Sequence, residues 1–139
     1  MLIRPFRPED ASKVVALWRA CGLVKPQNDP WRDIERKMAD SSWGFLIAED
    51  GDEVIGSVMA GYDGHRGWIN YLASLPSGQR KGVGTALMWR AAALLQERGC
   101  PKINLQVRDG NEAALAFYAS LGYQDEPVTS LGLRLQRDH

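Results

Sequence analysis

Leu72-Ala73-Ser74-Leu75-Pro76-Ser77-Gly78-Gln79-Arg80-Lys81-Gly82-Val83-Gly84-Thr85 is the stretch on which the fold turns. It leaves an apolar, strand-like run, passes a proline and three glycines, and enters a helical period. Val83, Ala86, Leu87, Ala91, Leu94 and Leu95 form one face of that helix, which closes at Gly99 and Pro101. A helix start presents unpaired N–H groups and the positive end of the peptide dipoles. Glycines there let an anion approach the backbone closely, so the turn suits a phosphate or pyrophosphate. Arg80 and Lys81 add positive charge, and no Asp or Glu occurs from Gly64 through Gln96. The same glycines would also serve close packing of the helix on its strand. A Walker loop is excluded because no GxxxxGK followed by Ser or Thr is present, and Leu87 breaks a dinucleotide fingerprint.

Upstream, residues 2–6 read as a short strand. A helix follows from Asp10, with Val14, Val15, Leu17, Trp18 and Cys21 on its apolar face and Gly22 at its end. Asp29 is a candidate N-cap before Pro30, opening a second helix with Ile34 and Met38 four apart. Strand character runs from Trp43 to Glu49, Glu53 to Tyr62 and Trp68 to Leu75. Turns at Asp50-Gly51-Asp52 and at 63–67 make these antiparallel neighbours. Downstream, Lys102 to Val107 alternates, Asn111 caps a helix carrying Ala114, Leu115, Tyr118 and Leu121, and strands near Tyr123 and from Val128 to Gln136 finish the chain. The predicted architecture is α/β (α+β), a mixed, mostly antiparallel sheet of about six or seven strands flanked by about four helices, in one domain over residues 1–139.

Composition narrows the function classes. The 139 residues carry 17 basic and 17 acidic side chains, so no global charge draws the chain to nucleic acid or to an anionic membrane. Neither a signal-peptide pattern nor a long apolar run is present, which leads us to expect a cytoplasmic protein. Two cysteines without CxxC spacing and two histidines do not suggest a zinc or other metal site. Trp18 and Trp89 are expected to complete helical apolar faces, and Trp31 and Trp43 to flank the second helix as packing residues.

Gln79-Arg80-Lys81-Gly82-Val83-Gly84 resembles the (Gln/Arg)-x-x-Gly-x-(Gly/Ala) signature of the GCN5-related N-acetyltransferases, the GNAT superfamily. Asn111 with Ala113-Ala114, Phe117-Tyr118 and Leu121-Gly122-Tyr123 resembles its second signature, at the expected spacing. The small bacterial YpeA-like branch is the nearest likeness, through Asn28-Asp29-Pro30, the run Gly61-Tyr62-Asp63-Gly64-His65-Arg66-Gly67, and Gly99-Cys100-Pro101-Lys102. Arg80 departs from the glycine many members carry there. The resemblance implies acetyl transfer from acetyl-CoA to a primary amine of a small molecule, protein or peptide, by direct attack with both substrates bound.

Carried over residue by residue, Leu72, Ala73 and Ser74 would face the pantetheine arm and thioester. Gln79, Arg80, Lys81, Gly82, Val83, Gly84 and Thr85 would hold the pyrophosphate, with Asn111 as a further cofactor contact. Tyr118 matches the tyrosine that protonates the leaving sulfur; a phenol with a pKa of about 10 is protonated at neutral pH. Its spacing also fits a core aromatic. Asn28, Asp29, Asp63 and His65 are candidate acceptor contacts, although Asp29 is equally an N-cap and His65 lies in an exposed turn.

The base is not assigned. Gln106 stands where ribosomal-protein N-terminal acetyltransferases, which the chain also resembles, carry a glutamate, and Glu35 and Glu49 read as a solvated helix face and a strand end. The alternative to an enzyme is a non-catalytic CoA-binding sensor or regulatory domain. An exposed edge near the last strand could support a homodimer.

Overall fold

In the computed structural model, which describes residues 1–76 and 82–139, the first strand β1 (Leu2–Pro5) leads through a short 3-10 turn into α1 (Ala11–Ala20). Then come α2 (Pro30–Ser41), the strands β2 (Phe45–Asp50), β3 (Glu53–Tyr62) and β4 (Gly67–Ser74), then α3 (Val83–Glu97), β5 (Ile103–Leu105) and α4 (Glu112–Ser120). Among the described residues the strands form one five-stranded mixed sheet in the order β1-β2-β3-β4-β5. Neighbours are antiparallel except β4 and β5, which run parallel.

The central strands are buried on both faces, as a sheet covered by helices requires. Phe45 and Ile47 of β2 face α1 and α2, packing with Phe6, Val14, Trp18 and Ile34. Leu46 and Ala48 face the opposite way and pack with Val83, Leu87, Met88, Ala91 and Leu95 of α3. Alternation along one strand thus feeds two cores. Arg4 joins the first elements, its guanidinium donating to Asp10 at 2.8 and 2.9 Å and to Glu49 at 3.1 Å. Asp29 caps α2 by accepting from the Trp31 N–H at 2.9 Å, and Asn111 caps α4 by accepting from the Ala114 N–H at 3.1 Å.

Two expectations need correction. The sheet has five strands rather than six or seven, because neither the region near Tyr123 nor the run from Val128 to Gln136 joins a ladder. Alternation was present in that run, but a strand also needs a backbone partner. Its polar side chains bond other parts of the chain instead: Asn104 donates to Glu126 at 2.7 Å, Gln106 to Ser130, and Arg134 to Asn28 at 2.8 Å. The second correction concerns two tryptophans: Trp31, in the first turn of α2, is 44% exposed, and Trp89 is 64% exposed. At about 100° per residue it sits roughly 200° round α3 from the buried Leu87. Trp18, by contrast, is fully buried.

Candidate functional site

The sequence pointed to the end of β4 and the start of α3, and the backbone there departs from regular structure twice. The first departure is a bulge. Ser57 of β3 faces Ala73 and Met59 faces Asn70, so Tyr71 and Leu72 together oppose the single residue between them. Tyr71 takes up the extra length at φ 51°, and it is the one non-glycine residue at positive φ among those described. Such a conformation costs on the order of 1–3 kcal/mol and persists only where its surroundings impose it.

Those surroundings are buried and specific. The Ser57 hydroxyl accepts from Trp18 Nε1 at 2.9 Å and donates to the Tyr71 carbonyl at 2.8 Å. The Tyr71 ring stacks on Trp18, with centroids 3.8 Å apart. Its hydroxyl donates to Asp33 Oδ2 on α2 at 2.6 Å. Burial, followed by that bond to the Asp33 carboxylate, pushes the phenol well above its usual value and keeps it a donor. Asp33 accepts from Arg36 at 3.1 Å as well, and Arg36 donates in turn to Asp138 near the chain end at 2.6 Å. That ion pair, with the Asp29 N–H, holds the Asp138 carboxyl well below the usual carboxylate range.

β4 pairs with β5 only from Gly67 to Ile69, and beyond that point the two strands have no shared ladder. Among the described residues, 70–74 therefore keep β3 on one side and have no paired strand on the other. Leu72 and Ala73 sit in this opening, and the Ser74 carbonyl accepts a weak bond from the Cys21 thiol at 3.2 Å.

The second departure is at Gly82, which begins α3 in the left-handed conformation, φ 85° and ψ 4°. Among the described residues a Cβ at Gly82 would meet nothing within 4 Å, so glycine is required there by backbone angle rather than by packing. Gly84 answers a different need. Its absent side chain is replaced by the Phe117 ring of α4, whose Cζ lies 3.3 Å from where a Cβ would stand. Gly56 of β3 receives the same helix turn, since its Cβ would come within 2.7 Å of Val83. The helix start is thus seated by two close approaches and opened by one turn.

Tyr118 follows Phe117 and packs edge-on to Tyr123 at 5.7 Å. It belongs with Leu72, Val83 and Phe117 to one apolar cluster, so the end of β4, the start of α3 and the middle of α4 converge. Among the described residues its hydroxyl has no hydrogen-bond partner. Burial, with Tyr123 beside it, raises the phenol above its usual value, so it is protonated at neutral pH. Asn111 stands at the N-cap of this helix, and Thr85 lies in the first turn of α3. Gln79, Arg80 and Lys81 lie outside the described residues.

The candidate acceptor residues fall into two places. Asn28 and Asp29 precede α2, beside the terminal segment that brings Asp138 to the Asp29 N–H at 2.8 Å. Asp63 and His65 are in the β3–β4 turn, about 20 Å along the strand from Leu72 at roughly 3.3 Å per residue. There the Asp63 carboxylate accepts from the His65 and Arg66 N–H groups, each at 2.7 Å, and from Trp68 Nε1 at 3.1 Å. An open cleft of about 560 Å³ between α1 and the β2–β3 hairpin is lined by Lys13, Leu17, Asp52 and Leu75 among others, and by none of the described residues carried over for the cofactor. Among the described residues no cluster of His, Cys, Asp or Glu could hold a metal ion, and no helix is long and apolar enough to cross a membrane. Asp33 and Tyr71 were missed at the level of sequence. Nothing local marks a tyrosine for a left-handed bulge; its cause is a tryptophan brought over from α1.

With β4 bulged and open beside a glycine-started helix, the architecture is that of an acyltransferase fold, and comparison with known proteins agrees. Residues 12–123 match the model of the acetyltransferase (GNAT) family, and the chain belongs to that family. Among solved structures it is similar to the PaiA N-acetyltransferase of Thermoplasma acidophilum in complex with coenzyme A. There the identity is 18%, with 92% of each chain covered and a TM-score of 0.80. It is also similar to the aminoglycoside 6'-N-acetyltransferase AAC(6')-IG of Acinetobacter haemolyticus, with 18% identity, 98% of this chain and 100% of that one covered, and a TM-score of 0.75. Naa20 of Chaetomium thermophilum in complex with a bisubstrate analogue shares 25% identity over 87% of this chain and 70% of that chain, with a TM-score of 0.71.

Proposed function

We propose that residues 1–139 act as one cytoplasmic N-acetyltransferase domain that moves the acetyl group of acetyl-CoA to a primary amine. The observation that carries this reading is the convergence of three parts: the edge of β4 after its bulge, the left-handed Gly82 at the start of α3, and Tyr118 on α4. The residues present fit the coenzyme. The first turn of α3 offers unpaired amides for a diphosphate, with Gln79, Arg80 and Lys81 as further contacts, and Leu72, Ala73 and Ser74 line the edge for an extended arm.

The reaction these groups suit is direct transfer. An amine nitrogen attacks the thioester carbonyl, the carbon–sulfur bond breaks, and Tyr118 gives its proton to the departing sulfur while the amine loses one to solvent or a base. A main-chain N–H on the bulged edge stabilises the charge that develops on the carbonyl oxygen. Asp33 is already engaged by Tyr71 and Arg36, so it holds the bulge rather than serving as the base. The acceptor end is read at Asn28 and Asp29, on the α2 side with Asp33. Within the family, the motifs around Asn28, Asp63 and Cys100 support the small bacterial YpeA-like branch.

The test is thiol release from acetyl-CoA across a panel of amines and peptides, with coenzyme A affinity measured in parallel. Gly82→Val is expected to weaken coenzyme binding at least tenfold. Tyr118→Phe is expected to cut turnover by about a hundredfold or more with affinity unchanged. Coenzyme binding with no acceptor ever raising thiol release would replace the enzyme by the sensor.

A further inference from the structure

One peptide plane in β4 is fixed by side chains that lie wholly inside the protein. The Tyr71 carbonyl accepts from the hydroxyl of Ser57, which is on β3 and fully buried. Among the described residues no peptide bond is cis, so the planar unit joining Tyr71 to Leu72 points its C=O and its N–H in opposite directions. The carbonyl points toward β3. The Leu72 N–H therefore points away from β3, to the side of β4 on which the ladder with β5 ends at Ile69. Leu72 packs in the cluster that also holds Val83, Phe117 and Tyr118.

The direction of the Ser57 bond is itself imposed. A serine hydroxyl has one proton to give and rotates it to suit its neighbours, whereas an indole N–H can only donate. Trp18 Nε1 donates to the Ser57 oxygen at 2.9 Å, which leaves the hydroxyl proton for the Tyr71 carbonyl. The indole has no access to water and is stacked on Phe45 and Tyr71, with centroids 6.3 and 3.8 Å away. Leaving any of these buried groups without its partner would be costly, so the order Trp18 to Ser57 to Tyr71 is the one the interior favours.

We propose that Ser57 and Trp18 are positioning residues for acetyl transfer: they hold the Tyr71–Leu72 peptide so that the Leu72 N–H meets the oxygen of the thioester carbonyl. The inference rests on the acetyl-transfer reading and adds to it two side chains that touch neither substrate. Negative charge gathers on that oxygen as the amine attacks, and a donor already aimed there needs no rearrangement at that moment.

The test is the infrared stretch of the thioester carbonyl, isotope-labelled at its carbon, in acetyl-CoA bound to the full chain. It reports the N–H directly and needs no acceptor. In wild type the stretch is expected below its value in free acetyl-CoA. Ser57→Ala should return it toward the free value and lower kcat by about tenfold or more, while coenzyme A affinity stays within about twofold. Trp18→Phe keeps a stacking ring and deletes only the N–H, and should move the stretch the same way by a smaller amount. A bond that served the fold alone would lower the unfolding midpoint of Ser57→Ala and leave its carbonyl stretch and kcat at wild-type values, and that result would overturn the proposal. A wild-type complex with the stretch of free acetyl-CoA would overturn it too. Failure of acetyl-CoA to bind wild type, or binding with no acceptor ever turning over, would overturn the acetyl-transfer reading and this inference with it.

Discussion

The stretch from Phe6 to Leu95 and the stretch from Ile103 to His139 carry comparable apolar patterns and use them differently. Among the described residues, every buried apolar side chain lies in the first stretch. In the second, α4 has no buried residue, β5 is only partly covered, and the one buried side chain is the carboxylate Asp138. The early part is held by packing, which is dense and intolerant of volume change. The late part is held by the β4–β5 ladder, by the partly buried Ile103, Leu105, Phe117, Tyr118, Leu121 and Tyr123 packed against the α3-side cluster, and by a few polar contacts. Precision at the candidate site comes from the packed side, where the bulge and the helix start are fixed; the open side contributes Tyr118.

The sharpest way to break this contrast is to truncate one large side chain in each part. Trp18→Ala removes a fully buried ring together with its bond to Ser57 and its stacking on Tyr71, and should cost about 3–5 kcal/mol in urea unfolding. Leu115→Ala, half-exposed on α4, should cost under about 1 kcal/mol. Equal losses would dissolve the distinction. Gly56→Ala comes next. Its Cβ would press on Val83 and Leu87 within 3 Å, so a loss of about 1–3 kcal/mol is expected, with weaker coenzyme binding as α3 is displaced.

A smaller effect sharpens the role of the bulge. Tyr71→Phe deletes the bond to Asp33 and should cost about 0.5–1.5 kcal/mol. Turnover should fall while coenzyme affinity holds, and Asp33→Asn, which keeps an acceptor for the hydroxyl, should be milder on both counts. A last test addresses an ionisable group within the packed part. Burial depresses the Lys37 ammonium on α2 to about 8, below its usual 10.5, although it donates to Ser41 at 2.8 Å and to the Ala60 carbonyl. The unfolded chain therefore holds this proton more firmly than the folded one. Its cost to stability is present in full below pH 8, and stability rises as the pH climbs from there toward 10.5. Denaturation of wild type and Lys37→Met in parallel should show this rise only in wild type.

Legibility in the sequence followed the range of the forces involved. Asp29 and Asn111 were readable as caps because a cap is satisfied within three residues. Gly82 was readable because a glycine between a strand and a helix has few other uses. The Tyr71 bulge was not, since it depends on Trp18 and Asp33 arriving from two other helices. Residues 130–136 mislead for a related reason: alternation reports that one side is apolar, not which side meets the protein. Trp89 teaches the same on a helix, where one step round the axis separates the core from water.

The concentration of packing before Ile103 bears on how the protein is made. A ribosome delivers β1 through α3 first, and with them every residue of both apolar clusters that ends up fully shielded. Residues 103–139 thus emerge onto a nascent chain that is already condensed, and residues 130–138 moor to it by Arg36 and Gln106.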